Sequence, residues 1–194
     1  MSLNTGLKAA ARASAAAAFV LLCLFDARAQ EETSLTPPKV EVKVTAGGAV
    51  FALEDADSAA HTAAGGAVRV YLSKRWSVEP EFMYMRRGAN DQDYFFTPSV
   101  AYDFVPSTRK VVPYAIAGVG VERHTGRFVG ADFTTGVPFV VDTSYTTWSV
   151  GVGVGVKLHV TGRLYVAPEV RVGREPYGRA TVSVGYVLSG RKRR

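Results

Sequence analysis

From Thr147 to Val160 the chain alternates strictly between apolar residues and small or polar ones. Trp148, Val150, Val152, Val154, Val156, Leu158 and Val160 fall on one side of an extended backbone; Thr147, Ser149, Gly151, Gly153, Gly155, Lys157 and His159 fall on the other. Strand side chains point alternately to two faces, so this segment predicts a strand with one wholly apolar face. A strand tilted by about 45° climbs roughly 25 Å from Trp148 to Leu158, the height of the apolar band on an outer-membrane barrel; a sandwich strand is usually only about five or six residues long. The segment therefore reads as a barrel strand whose valines face hydrocarbon.

The same period recurs along the chain. Val40, Val42 and Val44 alternate with Glu41, Lys43 and Thr45, after which Gly47-Gly48 reads as a bulge or bend and Leu53 to Gly66 as a loop. Val68, Val70 and Leu72 face outward in a second strand, with Arg69 and Tyr71 inward and a tight turn at Lys74-Arg75. The third strand starts at Trp76 and sends Val78, Pro80, Phe82 and Tyr84 outward, before a polar loop from Arg86 to Asp93. Tyr94, Phe96, Pro98, Val100, Tyr102 and Phe104 share the outer face of the fourth. The fifth, Val111 to Glu122, leaves its phase open: Tyr114 and Ile116 share the parity of Gly118 and Gly120, so either a bulge shifts the register or both side chains fill the interior. His124 to Ser144 is long and carries its own apolar residues, as a hairpin extension would. Leu164 to Val172 and Ala180 to Leu188 supply two more outward faces, separated by a loop from Gly173 to Gly178.

The strands number about eight, and their connections alternate long and short, as in outer-membrane barrels with large outer loops and tight periplasmic turns. Aromatic residues gather at both predicted ends: Trp76, Tyr102, Phe104 and Tyr186 at the periplasmic end, Tyr84, Tyr94, Phe96 and Trp148 at the outer. Rings that are half apolar and half polar settle at the two lipid interfaces. No apolar run approaches the ~20 residues of a membrane-spanning helix, so a closed barrel is the remaining way to pair every backbone group in lipid. The expected fold is all-β, an eight-stranded antiparallel up-and-down transmembrane β-barrel over residues 39–190.

Three features carry a family resemblance: Val-Glu-Pro-Glu-Phe at Val78 to Phe82, Pro113-Tyr114 leading into Gly118-Val119-Gly120-Val121, and the glycine alternation from Gly151 to Gly155. On these the chain resembles the small outer-membrane β-barrel domain family (OmpA/OmpX-like). Ser183, Gly185 and Leu188 partly match that family's assembly signal, without its terminal aromatic. The resemblance implies handling by the barrel-assembly machinery and a place among outer-membrane lipid and lipopolysaccharide.

The two ends read as address and tail. Lys8 and Arg12 precede an apolar run from Ala15 to Phe25, and Ala27-Arg28-Ala29 has the small-x-small pattern of a signal-peptide cleavage site. Residues 1–29 are expected to be removed, leaving a periplasmic leader at 30–38 and a basic periplasmic tail at 191–194. Cleavage would also remove Cys23, the chain's one cysteine, and with it any thiol chemistry. The net charge of +6 sits at these ends: residues 1–29 contribute +2 and Arg191 to Arg194 contribute +4, so the body is neutral. A neutral body does not suit a phosphate backbone, and no nucleic-acid partner is expected. The protein is expected to be a monomer.

Candidate chemistry lies on the inward faces. Parity places Glu41, Lys43, Arg69, Glu79, Glu81, Asp103, Glu122, Lys157, Glu169 and Arg171 there. An eight-stranded barrel has room inside only for side chains, so these charges are expected to pair into a plug, with the glycines making space for long side chains opposite. Glu79 and Glu81 could instead be an acid/base pair, and His159, Thr161 and Glu169 invite comparison with barrel lipid-A deacylases. Threonine then stands for serine, and His159 lies at the wrong end for outer-leaflet lipid. The three histidines show no metal-ligand spacing, and no phosphate-cradling motif occurs, so neither metal nor cofactor is expected. Arg86, Arg87, Arg123 and Arg127, near the outer rim, are candidate lipopolysaccharide contacts. The leading function is a non-enzymatic structural or interaction role: envelope integrity, loop-mediated adhesion or ligand contact. A narrow channel for small solutes, a lipid-modifying barrel enzyme and a soluble lipocalin-like barrel are the rivals.

Overall fold

The computed structural model describes residues 39–52, 58–88, 90–131, 134, 136–174 and 177–189; the signal-peptide, leader and tail assignments fall outside them. Eight strands run in chain order: β1 Val40–Ala52, β2 Ser58–Tyr71, β3 Trp76–Arg87, β4 Asp91–Asp103, β5 Val111–Ala131, β6 Pro138–His159, β7 Leu164–Gly173 and β8 Tyr177–Ser189. Each pairs antiparallel with its neighbours, and β1 pairs with β8 to close the barrel.

Alternation in sequence becomes alternation in space. Val100, Val119, Val152, Val172 and Val184 are exposed on the outer wall, while Glu79, Met83, Asp103 and Tyr114 are sealed inside. Val156 departs from its face, buried beside its ladder partner Pro113. The phase of β5 is resolved in favour of the interior: its register with β4 and β6 runs without a shift, and Val112, Tyr114 and Ile116 are all buried. Gly47-Gly48 makes no bulge either; the one shift in the β1–β8 ladder lies between Val40 and Glu41.

Two segments expected to be loops are largely strand, and a third is strand at both its ends. β2 starts at Ser58, so the Leu53 to Gly66 loop shrinks to a short connection, although Ala59 to Gly66 has neither β-propensity nor alternation. Here the ladder with β1, joined by β3 from Thr62 onward, imposes the conformation. Likewise β3 and β4 meet at Arg87↔Asp91 across a turn with Gly88 at φ +65°, and β7 and β8 meet at Gly173↔Tyr177. The His124 to Ser144 segment is a true hairpin, paired to Ala131↔Pro138. The asymmetry between the two ends therefore lies in strand length.

The turns at the end opposite the long hairpin are tight, and side chains close them. Ser73 Oγ accepts from the amides of Arg75 and Trp76 at 3.3 and 3.1 Å, and Thr161 Oγ1 accepts from those of Arg163 and Leu164 at 3.2 and 2.9 Å. Aromatic clusters mark both rims. Trp76, Tyr102 and Phe104 pack together at centroid distances of 4.8 and 5.6 Å, and Arg163 reaches the Tyr186 hydroxyl at 3.2 Å. At the other end Tyr94 packs on Tyr84 and Phe82, Phe96 is exposed nearby, and Arg174 lies 3.7 Å over the Trp148 ring.

Candidate functional site

The lumen is built by register. Directly opposite each of several inward glycines stands a large inward side chain: Tyr114 faces Gly155, Arg171 faces Gly153 and Tyr165 faces Gly185. A Cβ on Gly155 would lie 2.6 Å from Tyr114 Cζ, and one on Gly185 would lie 2.1 Å from Tyr165 Cζ. The glycines leave the space beside them to these side chains.

All ten residues assigned to the lumen from sequence are buried. Nine of them form one connected network. Lys157 Nζ binds Asp103 at 2.9 Å and approaches Glu41 at 3.8 Å. Tyr71, which also receives a hydrogen bond from Lys157, bridges Glu41 and Asp103 at 3.1 and 3.2 Å. Arg69 joins Asp103 to Glu79, and Lys43 reaches Glu79 at 2.8 Å. Arg171 bridges Glu169, Glu81 and Glu79 at 2.6, 3.0 and 3.5 Å. Tyr114 donates to Glu169 at 2.8 Å and carries the Arg69 guanidinium over its ring at 4.6 Å. Glu122 is buried higher on β5, nearer the outer mouth.

Sequence reasoning missed one member. Arg179 is 3% exposed and binds Glu81 at 2.9 Å and Glu169 at 3.3 Å. Its parity is legible, since it alternates with Ala180 and Val182, but it borders the segment that reads as a loop. With Arg179 the network balances: Lys43, Arg69, Lys157, Arg171 and Arg179 face Glu41, Glu79, Glu81, Asp103 and Glu169. Isolated charges could not persist at this burial, so the balance is what lets the plug form.

The catalytic comparisons do not assemble. Glu79 and Glu81 are both engaged by arginines. Thr161 Oγ1 is occupied by its turn amides, and Glu169 lies four residues up β7 from Tyr165, the partner of His159. That is about 13 Å along a strand at ~3.3 Å per residue, too far for a triad.

The outer end carries different chemistry. Arg86, Arg87, Arg123 and Arg127 are exposed there, on the two strands flanking β4. Arg86 donates to the Gly88 carbonyl, and Arg127 approaches Asp142 at 3.4 Å. Beside Arg123 and Arg127 lies an open groove of ≈ 440 Å³ whose wall includes Asn90, Gln92, Thr125 and Ser144. An apolar depression of ≈ 300 Å³ lies on the outer wall of the barrel, between Val154, Val170 and Val182. Across the mouth, His61 of β2 meets Asp91 and Asp93 of β4, with His124 of β5 alongside. Histidines scattered in the sequence are thus gathered with carboxylates by the fold, contrary to the expectation of no metal-ligating cluster.

A family model described as "Outer membrane protein beta-barrel domain" matches residues 16–179. The chain belongs to that family. Among solved structures, this outer-membrane barrel is similar to Neisserial surface protein A (NspA), with 16% identity, a TM-score of 0.63, and coverage of 77% of this chain and 97% of that one. It is also similar to the N-terminal β-barrel domain of Pseudomonas aeruginosa OprF (14%, TM-score 0.55, 77% and 98%). A third is Ail, the attachment invasion locus protein of Yersinia pestis, in complex with the heparin analogue sucrose octasulfate (16%, TM-score 0.50, 79% and 98%). At such identities the likeness is one of fold. No curated protein matches the chain significantly in sequence.

Proposed function

We propose that this outer-membrane barrel is a non-catalytic surface-interaction protein: a sealed barrel that displays the β5–β6 hairpin and an arginine-lined groove to anionic sugars. The observation that carries the reading is the contrast between a filled lumen and a projecting hairpin. The β3–β4 hairpin ends level with Gly126, through Asp91↔Gly126, whereas β5 and β6 continue paired to Ala131↔Pro138. Val129, Phe139, Val140, Val141 and Tyr145 are exposed along that extension. An isolated two-stranded ribbon is marginal in water, and apolar side chains held out beyond a membrane favour contact with another surface.

The groove supplies the polar half of that contact. Two arginines with surrounding amides and hydroxyls, Arg127 being shared with Asp142 of the same wall, suit phosphate or sulfate on a sugar, because guanidinium groups bind such oxyanions in a bidentate manner. The phosphorylated sugars of lipopolysaccharide in the same membrane are the nearest source, and the sucrose octasulfate held by Ail is a ligand of the same chemistry. Arg86 and Arg87 extend the basic rim on the far side of β4. Export after cleavage near Gln30, insertion by the barrel-assembly machinery and a monomeric state belong to the same reading; the mass of the mature N-terminus checks the first.

The test is calorimetric titration of the detergent-folded protein with sucrose octasulfate and with short-chain lipopolysaccharide. Arg123→Ala with Arg127→Ala is expected to weaken binding by roughly ten- to a hundredfold, the loss of two solvent-exposed charge contacts worth about 1 kcal/mol each. Arg163→Ala, in a periplasmic turn, leaves it unchanged. Equal affinity for all three proteins overturns the groove as the site.

A further inference from the structure

The mouth cluster sits apart from the ion network. Beneath it lies an apolar layer of Ala49, Ala63, Met83, Met85 and Phe95, all buried. Register explains the convergence. Asp93 stands opposite His124 across the β4–β5 ladder and opposite Met85 across β3–β4, while Ala63, two residues from His61, also pairs with Met85. Inward parity then sends His61, Asp93 and His124 over the same apolar floor. Asp91, the next inward residue of β4, closes the cluster from above.

The distances suit a small cation. His61 Nε2 is 3.4 Å from Asp91 Oδ2 and 3.6 Å from Asp93 Oδ2, and donor atoms of the three residues all lie within 4.8 Å of one another. Metal–nitrogen and metal–oxygen bonds of about 2.0–2.2 Å in a tetrahedron place neighbouring ligand atoms about 3.3 Å apart. His124 Nδ1 is 3.8 Å from Asp91 Oδ1 and hydrogen-bonded to Asp93 Oδ1 at 2.6 Å, so a modest ring movement brings it in as a fourth donor. Its ring stacks on Tyr145 at 4.9 Å, which holds it near the cluster.

A second observation points the same way. Asp91 Oδ1 is shut off from solvent and has no hydrogen-bond partner among the described residues; His124 Nδ1 lies 3.8 Å away. A buried carboxylate oxygen left so is costly, and a bound cation would satisfy it. The Asp91 side chain is 32% exposed and that of His124 22%, so an ion can enter from outside the cell.

We propose that His61, Asp91 and Asp93, with His124 as fourth donor, form a binding site for a divalent transition-metal ion of the zinc class at the outer mouth of the barrel. Two imidazoles and two carboxylates favour zinc, copper or nickel over magnesium or calcium, which prefer all-oxygen shells. The ion would tie β2 to β4 and β5 across the mouth. The proposal is independent of the sugar-binding groove.

The experiment uses untagged, folded protein freed of metal by a chelator. Zinc is titrated calorimetrically, and cobalt is added as a spectroscopic probe of tetrahedral ligation. The expected result is one saturable site at micromolar zinc that persists in a roughly hundredfold excess of magnesium. His61→Ala and, separately, His124→Ala are expected to lose at least about tenfold in affinity, while His159→Ala, at the far end of the lumen, loses nothing. Differential mobility of unboiled protein on a detergent gel confirms that each variant is folded. If the variants misfold, the wild-type protein's thermal transition decides: it should rise with zinc and not with magnesium. No saturable binding at millimolar zinc, affinity unchanged in both His61→Ala and His124→Ala, or no zinc-specific thermal shift overturns the site.

Discussion

Val152 and Val129 set the barrel wall against the projecting hairpin with the same side chain at nearly the same exposure. Both face outward, and they are 53% and 59% exposed. Val152 pairs with Ala117 and Val172 in the barrel wall, whereas Val129 pairs with Val140 in the projecting hairpin. Val152 lies four residues below Trp148 of the outer girdle; at ~3.3 Å per residue and a tilt of about 45° that is roughly 9 Å into an apolar band ~25 Å tall. Val129 lies eight residues beyond Val121, the ladder partner of Trp148, and so well clear of lipid. An arginine near the bilayer midplane costs about 2–4 kcal/mol, while one in water costs within about 0.5 kcal/mol. With a urea slope of about 2 kcal/mol/M, Val152→Arg should lower the unfolding midpoint by about 1–2 M, and Val129→Arg should barely move it. Equilibrium unfolding in phospholipid vesicles, followed by tryptophan fluorescence, measures both. Equal shifts for the two variants would refute the placement of the valine wall in hydrocarbon.

The other predictions concern the interior. Glu79→Ala leaves Lys43 and Arg69 buried without a principal partner and should cost about 3–5 kcal/mol in the same assay, as breaking buried pairs does. Gly185→Val places a Cβ against the Tyr165 ring and should cost about 1–3 kcal/mol, whereas Gly162→Ala, with open space around it, should be near neutral. In planar bilayers the purified protein should show no discrete openings, since the paired charged side chains lie buried across the lumen; steady single-channel steps would contradict the plug.

The face of each strand is legible from the chain alone. A period of two needs only neighbouring residues, and the barrel wall needed nothing more: parity placed Glu41, Arg69, Glu79, Asp103 and Lys157 inside and Val100, Val152 and Val184 outside, where they are found. Girdle aromatics and tight turns were legible for the same reason. Strand length was not. Ala59 to Gly66 has no preference for a strand, and only its ladder with β1, joined by β3 from Thr62 onward, makes it one. Parity likewise gave Tyr114 two readings, and the choice depended on Gly155, which lies across the β5–β6 ladder and leaves room for the ring. Partner identity within the lumen was equally out of reach, because parity says which way a side chain points and nothing about what it meets. Arg179 with Glu81, and His61 with Asp91 and Asp93, are brought together only when the sheet closes. Closure turns separations of many tens of residues into distances of a few ångströms, and that step belongs to the tertiary structure alone.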